Sequence, residues 1–307
     1  MIMGGVILLA STEATSIFHK LTTSNETIDS ISSEYRVYPD MEIKYVYGAF
    51  AVCAFLANVI FICIPKRPVE NSLAEESRKQ QDNKIGFVKH IVRITKVLVN
   101  RRTLLLAPCF AYVGTTTAVW ITIYPTTLTY TQSMAQYQFV PGFYAISVGL
   151  GGFIAGMSVS YLSRKIDNFG QKPTMIIGTV LFSTAMVLMV LSTPPESIHR
   201  PNVIAAPVIQ PSIPLALFIG FLFGAADSCL NTVRMIMAAI AYPHKRPQVF
   251  SVSKLFHSFA MCILMILIPY MSIHVCLFIL LSNGVVAVIT MVKMADETRR
   301  LESSTKL

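Results

Sequence analysis

Three ionisable residues, Asp227, Arg234 and Lys254, lie inside long apolar runs of this 307-residue chain. The first two belong to the run IPLALFIGFLFGAADSCLNTVRMIMAAIA, and Lys254 belongs to the next, FSVSKLFHSFAMCILMILIPY; the short polar link YPHKRPQ joins them. Each run is about as long as the ~20 residues that cross a bilayer as a helix. An ionisable residue within a membrane span is a candidate functional residue, so these three, with the amide of Asn231, form the candidate site.

Asp227 is the most constrained of them, because it is near the middle of its run and has a short side chain. Facing lipid would cost roughly 2.5 to 3.5 kcal/mol, so it must face protein or water. Arg234 lies on the same helix face but about 10 Å along the axis, so we expect the partner of Asp227 to come from another helix. Two interpretations stay open: an aspartate that fixes packing through hydrogen bonds, and a relay or substrate site.

Arg234 and Lys254 are each close to the polar link, within roughly 10 Å at 1.5 Å per residue. At that depth a long basic side chain can extend to the lipid headgroups. We therefore expect both to reach the membrane surface.

The composition identifies a polytopic all-α membrane protein, since 53% of residues are hydrophobic, 13% are charged and the mean hydropathy is +0.58. Seven spans are predicted, at 46–64, 104–124, 140–162, 173–192, 214–240, 251–270 and 273–292. Residues 1–10 are apolar but too short to span, and we interpret them as the tail of a truncated span, followed by an extracellular or lumenal loop to residue 45. The alternative is the core of a signal peptide, although the basic region that normally begins one is missing.

Loop charge predicts the orientation. Ten of the 25 Lys and Arg fall in the link 65–103, and the loops alternating with it carry few. By the positive-inside rule the link and the tail 293–307 are cytosolic, and residues 11–45 lie outside. The sequon Asn25-Glu26-Thr27 falls in that outside segment and predicts glycosylation at Asn25. The net charge of +9 then reflects topology, so nucleic acid is not an expected partner.

The cytosolic link also contains a basic amphipathic stretch, IGFVKHIVRITKVLVNRR. It predicts a helix on the cytosolic leaflet; a partner-binding helix of the calmodulin-target type is the alternative. The predicted polar face holds Lys89, Arg93, Lys96 and Asn100, and the apolar face holds Val88, Ile91, Val92 and Leu98.

Small residues predict how the spans pack. Gly152 with Gly156, and Gly220 with Gly224, have the GxxxG spacing that lets helix backbones approach closely. The six Cys lie inside apolar spans without a CxxC pair and are interpreted as packing residues. Trp120 and the threonines before it are interpreted as ordinary span residues.

Two motifs carry a family resemblance. The loop Asp167, Gly170, Lys172 resembles the cytosolic loop signature of the major facilitator superfamily, and the runs around Asp227 and Lys254 resemble the uncoordinated-93-like (Unc-93) family, a branch of that superfamily. The matching residues in this chain are Tyr112, Gly114, Ala225, Ala226, Asp227, Asn231, Thr232, Phe250, Lys254, Leu255 and Phe256. The chain departs from the family at Thr115 to Thr117, where an acidic residue is often found, at Arg234 in place of an amide, and at Lys254 in place of arginine.

The resemblance covers about 46–293 and implies a twelve-span fold, of which this chain would hold the C-terminal six-helix half and one preceding span. It also implies a noncatalytic accessory protein that regulates a potassium channel or the trafficking of a membrane receptor, with the lipid bilayer and that membrane protein as partners. The implied location is the plasma membrane, with endomembranes as the alternative.

No nucleophile with a base, metal-ligand spacing or phosphate-binding glycine loop is evident, and the six His are scattered, so we expect no catalysis, metal or cofactor. The alternative function is one half of a major facilitator-type transporter for a small solute or ion, whose substrate would bind between two six-helix halves. A truncated product without activity is a third possibility.

Overall fold

A computed structural model of the chain describes Val6 and residues 40–305, except 65–86, 136, 138, 167–169, 196, 199–206 and 243–244. Every regular element that it describes is helical. We number the main helices α1 (Asp40–Cys63), α2 (Phe87–Leu98), α3 (Arg101–Tyr130), α4 (Val140–Lys165), α5 (Gln171–Ser192), α6 (Ile213–Ala241), α7 (Arg246–Leu267) and α8 (Ile273–Thr305). A single turn, Gln132–Ala135, follows α3, and a 3-10 turn, Ile268–Tyr270, extends α7.

The six helices α3 to α8 are each long and apolar enough to cross a membrane. They overlap the six predicted spans of the bundle, so the expected all-α polytopic architecture is confirmed. One difference is in α3, which begins at Arg101 and continues past Pro125 to Tyr130, whereas the sequence predicted a span that ends at residue 124. Its continuation depends on a local change of helix type, described below.

Helix α3 lies at the centre of the bundle. It packs against α6, α7 and α8, while α4 and α5 pack on α6, and α5 also reaches α8. Helices α4 and α6 run parallel, because Tyr144 lies at Gly220 and Val148 lies at Gly224. Parallel directions are what successive membrane crossings impose on helices that are two apart in the chain.

A chain of aromatic rings fills the middle of the bundle. Tyr112 packs edge-on to Phe182, Phe182 contacts Phe223, Phe223 contacts Tyr124, and Tyr124 contacts Tyr144, with ring centroids 5.4 to 5.9 Å apart. Such pairs contribute about 0.5 to 1.5 kcal/mol each beyond the area that they bury. Because lipid is as apolar as these side chains, close packing of this kind is a main source of helix association in a membrane.

The long α8 is tied to α5 by a charged contact. Lys172, in the first turn of α5, forms an ion pair with Asp296. The two residues are 124 positions apart in the chain. The pair fixes the start of α5 against the polar extension of α8.

Helix α1 differs from the bundle helices. Its apolar stretch, Tyr47–Cys63, is shorter than theirs, and all of its described side chains are exposed or half-buried. Phe61 and Ile62 are 76% and 80% exposed, and nothing lies within 4 Å of a Cβ built on Gly48. In the described part of the chain, α1 is therefore an apolar helix without a substantial contact to the bundle.

The amphipathic helix α2 packs on protein as well as facing outward. It contacts α7 and α3, with Val97 only 3% exposed and Ile94 and Leu98 packed against the core. Arg93 and Lys96 are exposed, as the predicted polar face requires. Asn100 does not belong to that face: α2 ends at Leu98, and Asn100 caps α3, its Oδ1 accepting a hydrogen bond from the Arg102 backbone N–H at 3.1 Å.

Candidate polar site within the helix bundle

The carboxylate of Asp227 faces α3. Its Oδ1 accepts a hydrogen bond from the indole Nε1 of Trp120 at 3.1 Å and lies 3.4 Å from the hydroxyl of Thr117. The Thr117 hydroxyl also donates to the Val113 carbonyl at 2.7 Å, so its single proton is directed there and Trp120 is the principal donor to Asp227. A partner for Asp227 from another helix was expected, and the structure provides it.

Trp120 reaches Asp227 from an irregular part of α3. Residues Val119–Ile123 form a π-helix, in which the Tyr124 backbone N–H donates to Val119. In this register the carbonyl of Trp120 would accept from residue 125, which is proline and has no N–H. The free carbonyl instead accepts a hydrogen bond from the hydroxyl of Tyr144 on α4, at 2.8 Å. Single-turn π segments are frequent at functional sites.

Trp120 thus joins three helices, although the sequence analysis treated it as an ordinary span residue. It belongs to α3, donates to Asp227 on α6 and accepts from Tyr144 on α4, and it is only 7% exposed. The signal that could have found it is the proline five positions later, which removes the donor of a π-type hydrogen bond. Tyr144 is itself buried, with 2% of its surface exposed.

Two further polar contacts lie near Asp227. Asn231 is one turn along α6, and its amide donates to the Asp227 backbone carbonyl at 3.1 Å, so it supports the helix and not the carboxylate. On the other side of α3, the Asn283 amide of α8 is 3.4 Å from the Thr115 hydroxyl. Polar side chains therefore join α3 to α6 and to α8 at this level.

Arg234 does not extend to the membrane surface, contrary to the sequence expectation, because its side chain is only 3% exposed. Among the residues that the structure describes, none forms a hydrogen bond with its Nε or Nη1. The guanidinium is close enough to Asp227, Cys109 and His257 to interact with them electrostatically, but it forms no ion pair with a described carboxylate. The bundle encloses Arg234 because α7 and α3 pack over its helix face.

Lys254 is separate from this group. Its side chain is exposed on α7, and α7 begins at Arg246, so Lys254 lies about 12 Å along the helix. Its direction is compatible with the predicted extension to the headgroups. The structure therefore brings Asp227 and Asn231 to one level of the bundle, Arg234 to another, and leaves Lys254 on the surface.

Glycines permit the close contact between α4 and α6 that frames Asp227. A Cβ on Gly224 would lie 1.9 Å from the Val148 carbonyl oxygen, and one on Gly220 would lie 2.8 Å from the ring of Tyr144. On α4 the closest approach is at Gly151, whose Cβ would lie 2.1 Å from the Phe221 carbonyl oxygen. The GxxxG pair predicted on α4 has more space. A Cβ on Gly152 would lie 3.4 Å from the nearest atom of α6, and the corresponding distance for Gly156 is 3.3 Å.

The Tyr112 and Gly114 motif is also placed in contacts between helices. A Cβ on Gly114 would lie 2.1 Å from the His257 carbonyl oxygen of α7, so only glycine allows this approach. The hydroxyl of Tyr112 lies 3.0 Å from the Cβ position of Gly284 on α8. Ala225 and Ala226, beside Asp227, are 5% and 0% exposed. These motif residues pack helices together.

The remaining predicted residues divide into two groups. Gly170 precedes α5, and its carbonyl accepts a hydrogen bond from the Thr174 hydroxyl at 3.0 Å, while Lys172 pairs with Asp296 as described above. Asp167 and the predicted glycosylation site Asn25 lie outside the described residues.

The arrangement favours structural and binding roles. In the part of the chain that the structure describes, no group of three or more His, Cys, Asp and Glu side chains is placed to hold a metal ion. The free thiols of Cys109, Cys229 and Cys276 are buried, while those of Cys53, Cys63 and Cys262 are exposed on apolar helices. The site offers one half-buried carboxylate with a hydrogen-bond donor and one buried guanidinium with unpaired donors.

Comparison with known proteins finds a matching family model and two similar proteins. The family model described as "Ion channel regulatory protein UNC-93" matches residues 1–292. The chain is 26% identical over 258 residues to "UNC93-like protein MFSD11" of Xenopus tropicalis and 24% identical over 261 residues to the protein of the same name from Xenopus laevis. Each match covers 80% of this chain and 58% of the relative, so the chain spans less than two thirds of the relatives' length. No solved structure matches the chain.

Proposed function

Because the chain belongs to the UNC-93 family of ion channel regulatory proteins, we propose that it is a noncatalytic accessory protein of the membrane. Its expected role is to regulate a potassium channel or to assist the trafficking of a membrane receptor. The observation that carries this proposal is the match of residues 1–292 to the family model.

Two structural observations support an accessory role. The carboxylate of Asp227 already has a donor inside the bundle, in Trp120, so it fits a residue that fixes packing better than a relay. In addition, only 11% of the most apolar stretch of α4 is buried inside the bundle, and α1 is exposed along its length. These apolar surfaces suit contacts with another membrane protein as well as with lipid.

The direct test is affinity purification of the tagged chain from native membranes in mild detergent, with mass spectrometry of whatever is recovered in near-stoichiometric amount. We expect a potassium channel or a receptor. Co-expression should then change the current density of that channel, or the surface abundance of that receptor. Recovery of the chain alone, or with only a transporter-like second half, contradicts the accessory role.

The variant Asp227→Ala tests whether the polar contact inside the bundle is needed for the proposed function. Loss of the carboxylate leaves the Trp120 indole unpaired, so we expect impaired folding or impaired delivery of the partner. Normal abundance together with unchanged partner behaviour would be evidence against a supporting role for Asp227. Asn58→Ala is a matched control, because Asn58 is exposed on α1 and bonds only within its own helix, to the Ala54 carbonyl.

The orientation proposed with this function places residues 11–45 outside, the tail 293–307 in the cytosol and the protein in the plasma membrane. If Asn25 is glycosylated, glycosidase treatment will increase the electrophoretic mobility of the wild type and leave Asn25→Gln unchanged. A C-terminal tag should be labelled only after permeabilisation of the cell. Labelling of the tag on intact cells would indicate the opposite orientation, with the C-terminus outside.

A transporter-type role is the second candidate, and the buried, unpaired Arg234 is the observation that favours it. Flux of a small anion into vesicles that contain the chain, lost in Arg234→Gln, would support this role. The chain spans only part of its relatives' length, so flux that requires an added second chain would also support it.

A further inference from the structure

Among the described residues, several buried polar atoms on α6 and on the buried side of α7 have no hydrogen-bond partner. Apart from Oγ1 of Thr179 on α5 and Oε1 of Gln248 near the start of α7, they are Nε and Nη1 of Arg234, Oγ of Ser253 and Nδ1 of His257. These three residues are 3%, 1% and 8% exposed, so water outside the bundle does not reach them freely. An unpaired buried polar group costs about 1 to 3 kcal/mol, and a charged one costs more.

The three residues share one neighbourhood. Helices α6 and α7 are in contact, and the guanidinium of Arg234 interacts electrostatically with His257. On the α3 side the same guanidinium faces Cys109, and the backbone of His257 rests against Gly114. Ser253 lies one turn before His257 and is 1% exposed, so the two residues share the buried side of α7.

The charge of Arg234 is the feature that demands a ligand. A guanidinium stays protonated under all ordinary conditions, so it cannot lower its burial cost by losing a proton. Asp227 is within electrostatic range, but its carboxylate is bonded to Trp120 and makes no ion pair with Arg234. Lys254, on the exposed side of α7 three positions before His257, lies outside the enclosed group but adds positive charge that acts on His257. A trapped water would satisfy hydrogen bonds but would not balance this charge.

We propose that Arg234, Ser253 and His257 form a binding site for a small monovalent anion, a halide or a short carboxylate. Nε and Nη1 together carry three of the five N–H donors of the guanidinium, and the Ser253 hydroxyl adds an O–H donor. Size is limited because all three side chains are enclosed. The site does not depend on the proposed accessory role, because an anion bound here would stabilise the contact between α6 and α7 in a regulator or in a transporter.

The test measures stability against anion concentration. The full chain is purified in detergent, and its thermal unfolding midpoint is followed as chloride replaces gluconate at constant ionic strength. A second arm replaces gluconate with formate, which separates a halide from a carboxylate ligand. We expect the wild-type midpoint to rise and then saturate in at least one arm, because a ligand that binds only the folded state stabilises it by mass action.

Variants connect this rise to the site. In Arg234→Gln the half-saturating anion concentration should increase at least tenfold. In Ser253→Ala, which removes only one donor, it should increase severalfold. Lys293→Gln is the matched control: Lys293 is an exposed cation on α8, and its loss should leave the half-saturating concentration unchanged.

Three results would overturn the proposal. One is a wild-type midpoint that does not depend on chloride or formate. Another is equal dependence in the wild type and Arg234→Gln. If Arg234→Gln cannot be recovered folded, the wild type and Ser253→Ala decide, and equal half-saturation in these two proteins would refute the site.

Discussion

Asp227 and Arg234 are both ionisable residues of α6, yet the bundle surrounds them differently. The carboxylate has an indole donor on α3, a supporting amide on its own helix and a glycine-mediated contact with α4 nearby. The guanidinium is more deeply buried, and two of its nitrogens have no partner among the described residues. Asp227 thus has a hydrogen-bond donor on a neighbouring helix, whereas the described part of the chain supplies none of the acceptors that these nitrogens of Arg234 need.

This difference separates two meanings of a charge within a membrane span. A buried polar group whose partners are all supplied by neighbouring helices holds those helices in one arrangement. A buried charge without partners costs stability unless a ligand or another chain provides them. A polar residue in a span is therefore not a site by itself, and its unmet hydrogen bonds are the better indication.

The largest expected effect comes from disturbing the packing beside Asp227. In Gly224→Val the new side chain would meet the Val148 carbonyl, whose oxygen lies 1.9 Å from the Cβ position, and would push α4 away from α6. Overpacking typically costs 1 to 3 kcal/mol, and because backbone is the obstacle we expect about 3 kcal/mol of unfolding free energy. Denaturant unfolding in mixed micelles measures it.

Gly48→Val on α1 is the control for that substitution, since nothing lies within 4 Å of its Cβ position. It should leave the free energy of unfolding within about 0.5 kcal/mol of wild type. Equal losses in the two variants would mean that the α4 and α6 contact is not what frames Asp227.

Removing the donor to Asp227 should have the next largest effect. Trp120→Phe keeps an aromatic ring but leaves Oδ1 of Asp227 without its principal donor, and we expect a loss of about 2 kcal/mol. In an Asp227→Ala background the same substitution should cost clearly less, because the bond is already absent. Additive losses in this double-mutant cycle would show that the two side chains do not interact.

For Arg234 we expect the opposite change, a substitution that raises the free energy of unfolding. Arg234→Met keeps a long side chain and removes an unpaired charge, so in gluconate buffer without chloride or formate the free energy of unfolding should rise by about 1 kcal/mol. Thermal unfolding against the wild type in the same buffer measures the change. A loss of 1 kcal/mol or more there would indicate that Arg234 has a partner within the chain.

The smallest effect concerns the bond that supports Trp120 from α4. Tyr144→Phe removes the hydroxyl that donates to the Trp120 carbonyl, and polar contacts between membrane helices average about 0.6 kcal/mol, so a loss of about that size is expected. Tyr161→Phe on the same helix removes an exposed hydroxyl and should cost little. If the two variants lose equal stability, Tyr144 does not support the site.

The sequence predicted the class of fold and some of the site. Apolar length determines which segments can span, so six spans were found close to their observed positions, and the cost of burying a short carboxylate required a partner for Asp227 from another helix. The sequence did not predict the burial of Arg234. A helix that is apolar on all sides has no distinct apolar face, so its sequence does not indicate which side turns toward the other helices. The packing of α2 on α7 was missed because an apolar face suits protein and lipid equally.

The π segment of α3 has a geometric consequence for the helix beyond it. An α-helix turns by about 100° per residue, and a π segment accommodates one extra residue, so everything after Val119–Ile123 is rotated by about that angle relative to a regular helix. Thr117 before the segment and Trp120 near its start face α6, and the shift directs Tyr124, which follows the segment, toward the rings of Tyr144 and Phe223. Deleting a single residue there would turn Tyr124 out of the aromatic chain while leaving the composition of α3 almost unchanged.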